Sequence, residues 1–170
     1  MTEQCLDTTS HTDHVWCWGA YFCPGFAKPR SVYLIGSLRN PNVISLANRL
    51  RTQGFDVFED WASPGPETDS FWQEYEKARG RTYAEALQGY HAQHVFEFDK
   101  RHLDRCDVAV LLLPAGRSGH LELGYVRGLG KPGYILMDGE PDRFDIMYLF
   151  ATGIFTTEEA LVEALKGSNA

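Results

Sequence analysis

Apolar residues in this chain fall in short unbroken runs that alternate with segments of helical period. Val32-Tyr33-Leu34-Ile35 is one such run, and it stops at Gly36-Ser37, as a buried strand does on meeting a loop. Asn40-Pro41 then opens a helix, since proline near the first helical position gives up an N–H that has no helical partner anyway. Val43, Ile44, Ala47 and Leu50 hold one face of that helix, and Gly54 stops it. Phe55 to Phe58 predicts a second strand. Glu59 to Asp69 predicts a loop, with Ser63-Pro64-Gly65-Pro66 excluding regular structure. Ser70 to about Gly89 predicts a helix broken near Gly80, and a further helix covers roughly Ala92 to Arg105. Asp107 to Leu113 is a third strand, apolar enough for the middle of a parallel sheet. A helix from Ser118 to about Leu129 ends at Gly130-Lys131-Pro132. Tyr134 to Met137 is a fourth strand, Gly153 to Phe155 a short fifth, and Thr156-Thr157-Glu158-Glu159 caps a last helix.

Strands alternating with helices imply βαβ units with right-handed crossovers. The expected fold is α/β: a doubly wound, Rossmann-like (flavodoxin-like) parallel five-stranded sheet with helices on both faces. Residues 1–29 stand apart as an N-terminal extension of unknown role, and residues 30–170 form the α/β domain. The extension carries Cys5, His11, His14, Cys17 and Cys23 among aromatic residues. Their types suit zinc, but their spacing matches no usual ligand pattern, so no metal is expected.

At 170 residues the chain is long enough for one proper core. Its net charge of −7 argues against a partner such as a nucleic-acid polymer, which calls for a basic face, while leaving room for a small anionic ligand. No apolar run approaches the ~18 residues of a membrane span. Met1-Thr2-Glu3-Gln4 lacks the basic and apolar regions of a signal peptide, so the expected location is cytoplasmic. There the four cysteines are thiols.

Ligands of open α/β sheets bind at the carboxyl ends of the strands. Two such ends carry polar groups here. Gly36-Ser37-Leu38-Arg39 offers a hydroxyl and a guanidinium ahead of a helix, suited to a phosphate or ribose oxygen, or else a plain turn. Pro114 to Tyr125 offers Gly116, Arg117 and Ser118, with the amides of Ser118, Gly119 and His120 facing an anion. Glu122 lies at that helix start, where the positive helix end favours its ionised form. It reads as a nucleophile at a sugar carbon or as a surface residue complementing the dipole. Asp99 falls near the apolar stripe Phe96, Leu103 and Cys106 and reads as an acid with a task or as a solvated charge. Tyr90, His91, His94 and Phe96 read as base-pocket or as core-and-rim residues, Trp61, Phe71 and Trp72 as stacking platforms or as loop anchors, and Cys106 as a buried thiol.

Tyr33-Leu34-Ile35-Gly36-Ser37-Leu38-Arg39, Asp99 with Asp107 eight residues on, and His120-Leu121-Glu122-Leu123-Gly124-Tyr125 occur together. On these motifs the stretch from about Ser31 to Leu165 resembles the nucleoside 2-deoxyribosyltransferases and the related 2′-deoxynucleoside 5′-monophosphate N-glycosidases. The resemblance implies that Glu122 attacks the anomeric carbon of a 2′-deoxyribosyl group and forms a covalent sugar ester. It implies that Asp99 binds sugar hydroxyls and helps protonate the leaving base, and that Tyr33 orients Glu122. A second base gives transfer and water gives hydrolysis, as in a retaining glycosidase. No cofactor or metal is needed.

Two departures bear on the substrate. The transferases place an aspartate six residues before the nucleophile, at the sugar 5′-hydroxyl; here that residue is Gly116. Its loss leaves room for a 5′-phosphate among Ser37, Arg39, Arg117 and Ser118. Against this, Asp145-Ile146-Met147 resembles the segment that a neighbouring subunit brings to the 5′ end, where the transferases have a neutral amide. Asp145 repels a phosphate there. The balance falls on a nucleoside site, with a monophosphate site and a non-catalytic nucleotide-sensing module as alternatives. A site shared in this way requires at least a homodimer.

Overall fold

The computed structural model of the chain describes residues 28–137, 139–141 and 144–167. The cysteines and histidines of the N-terminal extension lie outside the described residues.

Five strands form one parallel sheet: β1 Ser31–Ile35, β2 Asp56–Phe58, β3 Val108–Leu112, β4 Gly133–Leu136 and β5 Gly153–Phe155, in the order β2-β1-β3-β4-β5. Six helices accompany them: α1 Asn42–Thr52, α2 Thr68–Ala78, α3 Tyr83–Leu87, α4 Tyr90–Arg105, α5 Arg117–Gly128 and α6 Glu158–Gly167. This is the doubly wound arrangement the alternating pattern predicts. β3 pairs on both edges, Val110 with Leu34 of β1 and with Tyr134 of β4, and all five of its residues are buried.

The two-residue period of a strand divides the core into two layers. Val32, Leu34, Val108, Val110 and Leu136 pack against Val43, Leu46 and Leu50 of α1 and Leu161 and Leu165 of α6. Tyr33, Ile35, Ala109, Leu111 and Ile135 face the other way, against Leu103 of α4 and Leu123 and Val126 of α5. The chain leaves β1 towards β2 on one side and returns to β3 on the other. The crevice at this reversal opens beyond the carboxyl ends of β1 and β3.

The break expected near Gly80 is present, and two other local features depart from the sequence pattern. Gly80 at φ +71° ends the first helix of residues 70–89, and Thr82 begins the second. Thr82 and Glu85 form a capping box, with the Thr82 amide donating to Glu85 Oε2 at 2.8 Å. Inside the expected 59–69 loop, Asp60–Ala62 forms a 3-10 turn anchored by Trp61, whose Nε1 donates to the Leu34 carbonyl at 2.8 Å. A second 3-10 segment, Ile146–Phe150, has no counterpart in the sequence pattern; the Asp145 carboxylate caps it by accepting from the Met147 amide at 3.0 Å.

Candidate active site

The loops after β1 and β3 are stitched to each other. Asn40, buried between them, donates from Nδ2 to the Pro114 carbonyl at 3.4 Å and accepts from the Asn42 amide at 3.0 Å. Its sequence context points only to a helix start, so this cross-link was not legible there. Ser37 Oγ accepts from the Arg39 amide at 3.2 Å, and the Arg39 guanidinium is exposed, 3.5 Å from Ser70 Oγ. Gly36 is dictated by packing: a Cβ there would lie 2.8 Å from Val43 Cγ2 and 3.4 Å from the Trp61 ring.

Tyr33 follows the strand alternation onto the layer beneath α4 and α5, where it is 1% exposed. Its ring packs on Phe58 at 5.1 Å, and Phe58 stacks on His102 of α4 at 3.7 Å and contacts Phe98 at 5.7 Å. Asp99 comes from the same helix as Phe98 and His102. Its Oδ1 is buried without a hydrogen-bond partner among the described residues, and burial raises its pKa to about 6. Glu122 comes from α5. Burial and then the charge of Asp99 raise its pKa to about 7. The Tyr33 phenol is pushed well above its ordinary value by burial, then by the charges of Glu122 and Asp99. The three groups from β1, α4 and α5 therefore share one poorly solvated space.

The helix-dipole expectation for Glu122 fails on position. α5 begins at Arg117, which puts Glu122 beyond the first turn, where the dipole has faded. Desolvation and Asp99 prevail and favour the protonated acid. Two acids raised towards neutrality in this way can supply a carboxylate and a proton together.

At the N-terminus of α5, Gly116 is the capping residue and is exposed, with Arg117 and Ser118 exposed beside it. A Cβ at Gly116 would meet nothing nearer than Ser118 Oγ at 4.0 Å. Gly119 instead lets the helix approach the sheet, since its Cβ would sit 3.0 Å from Ile35 and 3.1 Å from Leu111 side-chain atoms. His120 bridges outward: Nδ1–H donates to the Gly116 carbonyl at 2.8 Å, and Nε2 lies 3.0 Å from the Tyr148 hydroxyl. This tether was missed in the sequence, where Tyr148 lies in an unassigned segment. Asp145 and Met147 are exposed, and among the described residues no hydrogen bond or ion pair joins them to Tyr33, Asp99 or Glu122.

Other residues singled out by the sequence find plainer places. Tyr90, His91, His94 and Phe96 lie on exposed parts of α4, and His91 stacks on Trp72 at 6.4 Å. Phe71 is exposed, and Trp61 anchors its loop. Cys106 is buried, with its thiol pushed up by burial, and Asp107 accepts from the Ser31 amide at 2.8 Å. No described helix is long and apolar enough to cross a membrane.

The 2-deoxyribosyltransferase of Bacillus psychrosaccharolyticus superposes with a TM-score of 0.53 at 16% identity, over 78% of this chain and 90% of that one. The chain shares its fold with a 2-deoxyribosyltransferase. The CMP N-glycosidase BcmB of Clostridium botulinum aligns at a TM-score of 0.46 and 16% identity, over 81% of this chain and 99% of that one. No family model and no curated protein matches the sequence.

Proposed function

We propose that the protein is an enzyme that cleaves or transfers the N-glycosidic bond of 2′-deoxynucleosides through a covalent deoxyribosyl–Glu122 intermediate. The observation that carries this reading is the burial and mutual electrostatics of Glu122, Asp99 and Tyr33, brought together from α5, α4 and β1. The shared fold with a deoxyribosyltransferase supports it.

In the working state the pair holds one proton, on Asp99. The Glu122 carboxylate attacks the anomeric carbon as the bond to the base nitrogen breaks, and Asp99 passes its proton to the departing base. In the free protein burial holds protons on both acids above the ordinary carboxylate range. Positive charge developing at the sugar favours the ionised form of the carboxylate beside it, Glu122. Tyr33, whose phenol burial keeps protonated, is the positioning group for Glu122 in this scheme. A second base or water then releases the sugar.

Ser37, Arg39 and Gly36 on one side and Gly116, Arg117, Ser118 and Gly119 on the other hold the remainder of the substrate. Phe144, Ile146, Met147, Leu149 and Phe150 form an exposed apolar run, which a second copy of the chain covers in a homo-oligomer. That contact brings Asp145 and Met147 to the neighbour's sugar. The open space at Gly116 supports a second reading, a 5′-monophosphate N-glycosidase, with phosphate seated on Arg117 and Ser118.

Incubation with each deoxynucleoside and each monophosphate, with and without an acceptor base, tests this reading by chromatography of free base and exchanged product. The expected result is base release that stops in Glu122→Ala, with a sugar adduct on Glu122 in the intact mass of the wild type. Equal base release by Glu122→Ala, or none by the wild type, overturns it.

A further inference from the structure

A cavity of ≈ 410 Å³ lies between α2 and α3, with Arg39 of the β1–α1 turn on its rim. Arg39 is the residue the cavity shares with the turn after β1; Tyr33, Asp99 and Glu122 do not line it. The mechanism above uses nothing else in it.

Its lining combines an aromatic wall with positive charge. Glu76 is 4% exposed, and its carboxylate is engaged by Arg81 at 3.2 Å and Arg79 at 3.8 Å, so its charge is spent within the wall. Lys77 and Arg39 pair with no carboxylate among the described residues, while Asp69 is the remaining acid of the lining. Two uncommitted cations against one acid leave the cavity positive in a chain of net charge −7. Trp72 supplies an indole face and an Nε1–H that is buried with no acceptor among the described residues. A buried donor of this kind calls for an acceptor brought by water or by a ligand.

We propose that this cavity is a subsite for the aglycone end of the substrate, selecting a planar heterocycle that carries a carboxylate. The ring lies against Trp72 with a ring acceptor on Nε1–H, and the carboxylate pairs with Lys77 and Arg39. The inference rests on the glycosidic reading above, because that reading puts the sugar at Glu122 and leaves the base to extend past Arg39.

The test follows the indole N–H resonances of the 15N-labelled full chain, with that of Trp72 identified by comparison with Trp72→Phe. Orotate, a pyrimidine with a carboxylate, is titrated beside uracil and beside inorganic phosphate. Orotate is expected to shift the Trp72 signal saturably, to bind about tenfold or more tightly than uracil, and to weaken about tenfold in Lys77→Ala. No shift with orotate, uracil binding as tightly as orotate, or phosphate reproducing the shift each overturns the subsite. The same titration on Glu122→Ala separates the two claims. Orotate binding without base release from any substrate sinks the glycosidic reading alone, and base release from ordinary deoxynucleosides without an orotate shift sinks the subsite alone.

Discussion

Asp99 of α4 and Glu122 of α5 share a desolvated space in which negative charge on Asp99 raises the proton affinity of Glu122. Burial raises both acids into the neutral range, so both lose their protons in a window around pH 6 to 7. Below that window both acids are neutral and no nucleophile exists; above it both are ionised and no acid remains for the leaving base. kcat/KM against pH is therefore expected to be bell-shaped, with both limbs near neutrality. In Asp99→Asn no proton is left to be lost from that position, so the residual activity is expected to keep an acid limb and lose its base limb. A base limb retained near neutrality in the variant contradicts Asp99 as the proton donor.

The same shifts act on stability with a definite sign. The folded pKa of Glu122 is raised from 4.5 to about 7, so the folded state favours the neutral acid. The associated stability is fully present below the unfolded pKa and is lost as pH rises through about 7. Glu122→Gln, which cannot ionise, is expected to be more stable than the wild type at pH 8 by about 1–3 kcal/mol. At pH 4.5 the two should melt alike. Thermal unfolding at both pH values checks this, and a gain that does not depend on pH counts against it.

Tyr33→Phe removes one oxygen from a ring whose packing on Phe58 is otherwise kept. Stability should change by less than about 1.5 kcal/mol. If the phenol positions Glu122, kcat falls about 100-fold while KM moves little. A fall in stability with unchanged kcat assigns Tyr33 to the core alone.

The sheet was legible because buried parallel strands are written as uninterrupted apolar runs, and Val32 to Ile35 and Val108 to Leu112 admit no other period. Glu122 stood out as an acid near a helix start and Asp99 as an acid near an apolar stripe, while Tyr33 was marked only by the resemblance of its motif. Their mutual electrostatics did not stand out, because it depends on which turn of α5 faces which turn of α4. Asn40 and His120 were hidden for a related reason: each works by a side-chain bond to a distant group, Pro114 and Tyr148 respectively, whereas Trp61 was legible as a loop anchor and only its partner, the Leu34 carbonyl, was not. Local pattern carries no trace of such bonds. The 3-10 segment Ile146–Phe150 was hidden because its apolar residues are exposed and follow no core-facing period.

His120 is expected to act as a tether between the α5 N-terminus and that segment. Its two ring contacts, to Gly116 and Tyr148, should make His120→Ala cost about 1–3 kcal/mol. A double-mutant cycle with Tyr148→Phe should return a coupling of about 1 kcal/mol. Additivity of the two substitutions in chemical denaturation excludes the tether.

Gly116 offers the sharpest handle on substrate choice. Its φ of −78° suits any residue, and a Cβ added there would have Ser118 Oγ, 4.0 Å away, as its nearest heavy atom, so Gly116→Asp should fold normally. The new carboxylate would stand beside Arg117 and Ser118, where the sugar 5′ end is placed in the proposed reaction. There it repels a phosphate and accepts a hydrogen bond from a 5′-hydroxyl. The ratio of kcat/KM for a deoxynucleoside monophosphate to that for its nucleoside should fall by about tenfold or more. Because both substrates are measured on one variant, a general loss of activity cancels from the ratio. An unaltered ratio means that Gly116 does not face the 5′ end, and the phosphate reading goes with it.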